Sequence, residues 1–198
     1  SKKSLDTNWS VVSGQLSDAM RNNAIIGLAI ALASILIYIT FRFEFKYAVA
    51  AVVGLVHDVI ITLGLLAILH AMGLPLAIDL TVVGAIMTII GYSLNDTIIV
   101  FDRIREDLKI LKRLSFAEAV NHALNITLSR TLMTSGTTLL VLLALVLLGG
   151  SSIFAFSLVM TIGVLIGTFS SLFIAAPMVV WLHNREEANE EALSSKKS

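Results

Sequence analysis

The chain has 198 residues, of which 57% are hydrophobic and 14% are charged, and its formal net charge is zero. Soluble domains usually carry about 25% charged residues, so this composition excludes an ordinary soluble domain. The absence of a basic excess argues against nucleic acid as a partner. The sequence has no cysteine, which excludes disulfides and thiolate metal sites, and its four histidines are scattered without metal-ligand spacing. We therefore expect neither a metal nor a cofactor.

Residues 1–20 are polar and lack the apolar core of a signal peptide. Because nothing in this segment would target the chain to a membrane, we expect the sequence to be part of a longer protein.

Five apolar runs follow, and each reaches or comes close to the roughly 20 residues that a membrane span requires, the fifth exceeding that length. They cover residues 24–41, 48–69, 80–101, 131–148 and 153–182. The fifth run is long for one span, so we expect it to tilt or to project from the bilayer. Pro177 should kink it or mark where it leaves the membrane. The tail from residue 183 onwards is expected to be frayed, with residues 185–198 as a cytoplasmic tail.

Residues 102–130 differ from the apolar runs because they hold six of the fourteen lysines and arginines. Ser115 and Glu118 have the spacing of a capping box, which predicts that a helix begins here. After them, apolar residues recur every fourth position, at Phe116, Val120, Leu124 and Leu128. This pattern predicts an amphipathic helix that lies along the membrane surface or against the ends of the other helices.

The distribution of lysine and arginine predicts the orientation of the chain. With five spans, one side of the membrane holds only Lys2, Lys3 and Arg21, and the other side holds all the remaining cations. Because positive loops stay in the cytoplasm, we expect the N-terminus outside and the segment 102–130 and the C-terminus inside.

One acid, Asp96, lies inside the third apolar run. An ionised carboxylate in hydrocarbon costs several kcal/mol, so such a residue is a candidate functional site. Arg130 opens the fourth span, and a loop joins the ends of the two spans, so both groups should lie at a similar depth. Either Asp96 is a titratable carboxylate with Arg130 as a cationic gate, or the two form an ion pair that only fixes helix packing.

A second acid, Asp58, interrupts the second apolar run. We expect His57 not to be its partner, because neighbours on a helix point about 100° apart. Asp58 is either a further proton-coupling residue or a carboxylate that caps loop amides or pairs with Arg103 or Arg105.

Other polar residues accompany the acid of the third span. Asn95 and Thr97 flank Asp96, while Thr134 and Ser135 follow the arginine of the fourth span. We expect all four to be supporting polar residues of the site. The hydroxyl groups of Thr134 and Ser135 are candidates to hydrogen-bond Asp96 or to hold water, although such groups often bond only to their own helix.

Small residues indicate where helices approach each other closely. Gly163 and Gly167 are four residues apart on the fifth span, and Gly84 and Gly91 form a similar strip on the third. We expect helix contacts at both.

Four segments resemble the SecF family of bacterial protein-export proteins, within the resistance–nodulation–division superfamily. They are GYSLNDTIIVFDRIRE at 91–106, VHDVIIT at 56–62, AIDLTV at 77–82 and LSRTLMTS at 128–135. The resemblance runs from about Val12 to Leu182.

The resemblance implies an all-α membrane protein with five transmembrane helices plus a cytoplasmic amphipathic helix. This would be one half of a pseudo-twofold bundle in the bacterial cytoplasmic membrane, with SecD, or a SecD half of the same chain, as the other half. SecF has six spans with a large extracytoplasmic domain after the first, so residues 1–20 would be the end of that truncated region and 21–184 the transmembrane domain.

The resemblance also implies a function. The family uses the proton-motive force to help preproteins leave the SecYEG translocon, and its essential membrane carboxylate and arginine correspond to Asp96 and Arg130. Two alternatives stay open, namely a proton-coupled exporter of small molecules or lipids from the same superfamily, and a purely structural subunit. Sodium is an alternative to the proton as driving ion. The sequence has no GxxxxGK[ST] motif and no catalytic constellation, so we do not expect an enzyme.

Overall fold

The computed structural model describes residues 44–195 except 75 and 77–79, together with parts of 22–41. Residues 1–20 and 196–198, for which the sequence predicts an extracytoplasmic segment and the end of a tail, lie outside the described part. Every regular element among the described residues is helical. The helices are α1 (Ala29–Phe41), α2 (Phe45–Ala71), α3 (Leu80–Ile110), α4 (Phe116–Leu148), α5 (Ser151–Ser170), a π-helical turn (Ser171–Ala175) and α6 (Ala176–Ser195).

Four helices in the described part are long and apolar enough to cross a membrane. They are α2, α3, α4 and the continuous helix Ser151–Ser195. The predicted first span, 24–41, is described only in part, and its apolar helix α1 is shorter. These helices confirm the prediction of an all-α, multi-pass membrane protein.

The predicted amphipathic helix is not a separate element. Residues 102–110 continue α3, and residues 116–130 form the first half of α4, which runs without interruption into the fourth span. No proline lies between the start and the end of α4, so nothing forces a break there. The capping box at its start is confirmed: Ser115 Oγ accepts from the Glu118 amide at 3.3 Å, and Glu118 accepts from the Ser115 amide at 2.8 Å.

The apolar stripe at the start of α4 packs against the protein. Val120 is buried, and Phe116 and Leu124 contact the same apolar core. The ring of Phe116 stacks on His183 of α6, with 3.8 Å between the ring centres. Leu128, the fourth residue of the stripe, is 36% exposed. Three of the four residues therefore take the expected position against the other helices.

The continuous helix Ser151–Ser195 changes geometry once, at the π-helical turn Ser171–Ala175. Pro177 follows this turn. Its ring has no amide proton to donate and clashes with the carbonyl of Phe173, four residues earlier, which favours a wider helical turn at this position. The helix then continues to Ser195, so the expectation of a frayed tail is wrong as far as that residue. Alanine, glutamate and leucine, all strong helix formers, dominate this segment.

Two apolar clusters form the core. One lies where α2 begins and α3 ends and includes Tyr47, Phe101 and Val179. The other lies towards the opposite end and includes Ile89 and Val164. Helix α5 contacts α2, α3 and α4, and the buried polar side chains described next lie between the two clusters along α2, α3 and α5.

Candidate functional site in the membrane-spanning helices

Asp58 joins three helices. It projects from α2 and is 1% exposed. The hydroxyl of Ser93, on α3, donates a short hydrogen bond to its Oδ2, and the hydroxyl of Ser170, on α5, donates to the same oxygen at 3.0 Å. Because the two hydroxyl donors come from two other helices, the side chain of Asp58 joins α2, α3 and α5.

His57 also contacts Asp58, with 3.1 Å between His57 Nδ1 and Asp58 Oδ1. The prediction that these neighbours could not interact is wrong. The angle of about 100° separates the directions in which the side chains leave the helix, but both ends can still turn towards each other. Arg103, one of the partners proposed for Asp58, instead pairs with Glu106 at 3.0 Å and Asp107 at 2.9 Å.

Asp96 lies on α3 and is 4% exposed. Its Oδ2 is buried and has no hydrogen-bond partner among the described residues. Thr97 beside it is buried but donates to the Ser93 carbonyl at 3.1 Å, and Asn95 is exposed. A buried acceptor without a partner costs roughly 1–3 kcal/mol, and more when charged. Asp96 is therefore a buried carboxyl group with one oxygen to which no described residue donates a hydrogen bond.

Arg130 is exposed on α4 and lines a cavity of about 400 Å³ together with Asp102, Arg103 and Glu106. In the part of the chain that the structure describes, no ion pair within 4.0 Å joins Arg130 to Asp96. Helices α3 and α4, which carry Asp96 and Arg130, are in contact with each other. Asp96 and Arg130 thus lie on adjacent helices without forming a direct ion pair among the described residues. The alternative that they form an ion pair which fixes helix packing would require such a contact.

Ser135 and Thr134 do not hydrogen-bond Asp96. Ser135 is buried and lies 2.7 Å from the hydroxyl of Thr168 on α5, and Tyr92 donates to it at 3.3 Å. Thr134 is exposed and donates to the Arg130 carbonyl at 3.0 Å. Ser135 therefore links α4 to α5, while Thr134 bonds only to its own helix.

Two of the four predicted packing glycines lie at a close helix contact. A Cβ at Gly163 would overlap Ile89, and a Cβ at Gly167 would lie 2.9 Å from Ser93 Cβ, so α5 and α3 need glycine to approach here. At Gly84 and Gly91 a Cβ would meet no atom within 4 Å. Among the described helices these two glycines do not mark a contact, so the prediction is not met there.

The sequence interpretation missed three residues that the structure places in polar clusters. Ser93 and Ser170, which hold Asp58, were absent from the candidate set. Asp107 is buried and contacts Arg103 at 2.9 Å and His122 at 2.8 Å. The available signals were the four-residue spacing of Arg103 and Asp107 and the occurrence of serine inside apolar runs.

Comparison with known proteins identifies the family. The family model "Protein export membrane protein SecD/SecF, C-terminal" matches residues 1–185. The chain belongs to the SecD/SecF family. It is 45% identical over 187 residues to the protein translocase subunit SecF of Rhodothermus marinus, covering 94% of this chain and 61% of the relative. It is 49% identical over 162 residues to SecF of Escherichia coli O157:H7, covering 82% of this chain and 49% of the relative.

A solved structure has the same architecture. The crystal structure of SecDF in its super-membrane-facing form matches with a TM-score of 0.80 and 43% identity, covering 87% of this chain and 23% of that chain. The chain thus spans about half to three fifths of the length of these two SecF relatives and about a quarter of SecDF.

Proposed function

We propose that this chain is the membrane-embedded part of a protein translocase subunit that couples ion flow to the export of preproteins across the cytoplasmic membrane. The observation that carries the proposal is the buried Asp96 carboxyl, which has an oxygen without a partner and a cation, Arg130, on the next helix. Relatives named as protein translocase subunits support the export role.

The coupling cycle follows from the charges. A proton that reaches Asp96 from outside neutralises the carboxylate and removes its attraction to Arg130, so α3 and α4 repack and move the extracytoplasmic part of the protein. Release of the proton inward restores the attraction. The bonds from Ser93 and Ser170 to Asp58 hold α2, α3 and α5 together during this movement.

The proposed partners are SecD, or a SecD half of the same chain, the SecYEG translocon and preproteins. SecDF of Thermus thermophilus, which is 43% identical over 175 residues, supports SecD as the other half, since this chain covers 23% of it. The proposed orientation has the N-terminus outside and the C-terminus in the cytoplasm. The proton is the proposed driving ion, sodium is the alternative, and no cofactor takes part.

The test is Asp96→Asn in the full-length complex, reconstituted with the translocon in vesicles on which an ion gradient is imposed. Asparagine keeps the size of the side chain but cannot be ionised, so we expect the gradient-dependent part of preprotein export to be lost. Gradient-driven export at the wild-type rate would contradict the proposal. Glu190→Gln makes the same change from carboxylate to amide at an exposed position of α6, so it is the matched control and should export normally.

A second variant and a second transport measurement make this test more specific. Arg130→Lys keeps the charge but replaces the planar guanidinium, so reduced export in this variant would show that the geometry of the cation matters as well as its charge. Normal preprotein export by Asp96→Asn, combined with loss of gradient-driven efflux of a small molecule or lipid, would instead support the exporter alternative.

A further inference from the structure

A second polar cluster joins α3 to α4 beyond the predicted membrane spans. Asp107, near the end of α3, is 1% exposed, and its two oxygens face different partners. Its Oδ1 lies 2.9 Å from a guanidinium nitrogen of Arg103, and its Oδ2 lies 2.8 Å from Nδ1 of His122 on α4. The contact between Asp107 and His122 therefore connects the same two helices that carry Asp96 and Arg130.

This contact and the coupling pair lie on the same faces of the two helices. Arg103 lies seven residues after Asp96 on α3, and Arg130 lies eight residues after His122 on α4. Residues seven or eight apart share one face of a helix and are separated by about two turns. Arg103 and Arg130 also line one cavity of about 400 Å³. The cluster therefore lies along the interface between α3 and α4 that has to repack in the proposed cycle.

His122 is placed to take up a proton from water. Its side chain is 44% exposed, whereas that of Asp107 is 2% exposed. A carboxylate only accepts hydrogen bonds, so the ring donates from Nδ1 and keeps Nε2 as a proton acceptor. Histidine is the side chain that ordinarily changes its charge between about pH 5 and 8. In the proposed orientation this end of the bundle lies in the cytoplasm, so the charge of His122 follows the pH there.

Protonation of His122 changes the balance of charge around Asp107. Arg103 contacts Asp107 and also lies 3.0 Å from Glu106. One cation thus faces two carboxylates, and these three residues together carry one excess negative charge. A positive His122 neutralises this excess and adds the attraction of an ion pair to the existing hydrogen bond.

Other charged or titratable groups near this end of α3, α4 and α6 have their own contacts or line cavities that do not include His122. They are Asp102, Arg105, Lys109, Glu118, His183 and Glu187. The cations of the connecting loop, Lys112 and Arg113, are exposed. Helix α5 also packs against α4 and contains no charged residue. Among the described residues, the charge of His122 therefore acts most directly on Asp107.

We propose that His122 senses the pH of the cytoplasm and slows the coupling cycle when the cytoplasm becomes acidic. Protonated His122 forms an ion pair with Asp107 that holds the end of α3 against the start of α4. The repacking of these helices that follows proton transfer at Asp96 is then slower. Neutral His122 keeps only the hydrogen bond. This inference rests on the proposed function, because the response limits proton entry into a cytoplasm that is already acidic.

The test uses the full-length complex with the translocon in vesicles. The pH on the cytoplasmic face is lowered from about 8 to about 6, on either side of the ordinary histidine titration. The outer pH is fixed, and a potassium diffusion potential is adjusted so that the total proton-motive force stays constant. We expect gradient-dependent export by the wild type to fall on the order of two- to fivefold, the effect of one partly exposed ion pair.

His122→Asn removes the response to pH. The asparagine amide can still donate a hydrogen bond to Asp107 but takes up no proton, so gradient-dependent export should stay constant between the two pH values. His183→Asn is the matched control, because it removes a histidine at the same end of the bundle that contacts Phe116 and Glu187. This control should keep the wild-type response. The proposal is overturned if His122→Asn keeps that response or if His183→Asn loses it equally.

Thermal unfolding in detergent tests the contact without measuring export. The wild type should gain melting temperature relative to His122→Asn between about pH 8 and about pH 6, because only the wild type forms the ion pair. An equal difference at both pH values would overturn the proposal. If the proposed function itself is wrong, Asp96→Asn exports like the wild type at every pH while the melting temperatures still respond to pH. The effect of His122 on export then fails together with that function.

Discussion

Asp58 and Asp96 are both buried acids in apolar helices, but their surroundings differ. Both oxygens of Asp58 have partners, from His57, Ser93 and Ser170. Asp96 has an oxygen with none among the described residues. A carboxyl group bonded by residues of three helices connects those helices, whereas the unbonded oxygen of Asp96 makes no such connection. The contrast supports Asp96 as the coupling group and gives Asp58 a role in holding the helices.

At the scale of single residues, we predict that the hydrogen bond between Asp58 and Ser170 stabilises the fold. Asp58→Ala should lower the free energy of unfolding, because it leaves two buried hydroxyl donors without their acceptor, at roughly 1–3 kcal/mol each. In a double-mutant cycle with Ser170→Ala, measured by thermal unfolding in detergent, we expect the two losses to be non-additive by about 0.5–3 kcal/mol. Strictly additive losses would show that the hydrogen bond contributes nothing to stability.

At the scale of the helix, the contact between α3 and α5 depends on the absence of side chains. Gly163 lies against Ile89, and Gly167 lies against Ser93, the residue that also bonds Asp58. In a membrane the lipid tails are as apolar as the helix surfaces, so the hydrophobic effect does not drive helices together. Helix packing there depends instead on close contact at small residues. The contact between α3 and α5 therefore also determines where Ser93 and Ser170 lie relative to Asp58.

Gly167→Ala should separate α5 from α3 locally, because the added methyl group would lie 2.9 Å from Ser93 Cβ, less than real contacts allow. We expect a lower melting temperature, with a loss of about 1–3 kcal/mol. Gly64→Ala is the control, since a Cβ there meets no atom within 4 Å, and its melting temperature should be unchanged or higher. Equal melting temperatures for the two variants would contradict a tight contact at Gly167.

At the scale of the whole molecule, Gly84 and Gly91 lie seven residues apart on α3, and a Cβ added at either would meet no other atom within 4 Å in the described part of the chain. Residues seven apart lie on the same face of a helix. The chain spans about a quarter of SecDF, so a partner half is the natural occupant of this strip. We therefore predict that the helix that packs against Gly84 and Gly91 belongs to the proposed SecD half.

Cysteine cross-linking tests this assignment, and the chain has no cysteine of its own. Gly84→Cys or Gly91→Cys, paired with single cysteines introduced into SecD, should form disulfides in oxidised membranes because the helices approach closely there. Gly64→Cys, paired with the same cysteines in SecD, provides the reference level of cross-linking. Cross-linking that is no stronger at 84 and 91 than at 64 would place the interface elsewhere.

Several features follow from the sequence alone. Hydropathy and length determine the apolar helices, since every backbone group in a membrane must be bonded within its own helix. Local chemistry determines the capping box of Ser115 and Glu118, which involves residues only three apart. The cost of a charge in hydrocarbon singles out Asp96. The resemblance to the family follows from four motifs between residues 56 and 135.

Only the tertiary structure decided which polar groups meet. Ser170 is 112 residues from Asp58, and Ser93 is 35 residues from it, so no local pattern could indicate that both donate to one oxygen. The same holds for Ser135 and Thr168. Side-chain contacts depend on how the helices are rotated and how closely they approach, and these follow from shape complementarity over whole helix faces. Hydropathy determines that a helix crosses the membrane, but packing determines which of its residues face each other.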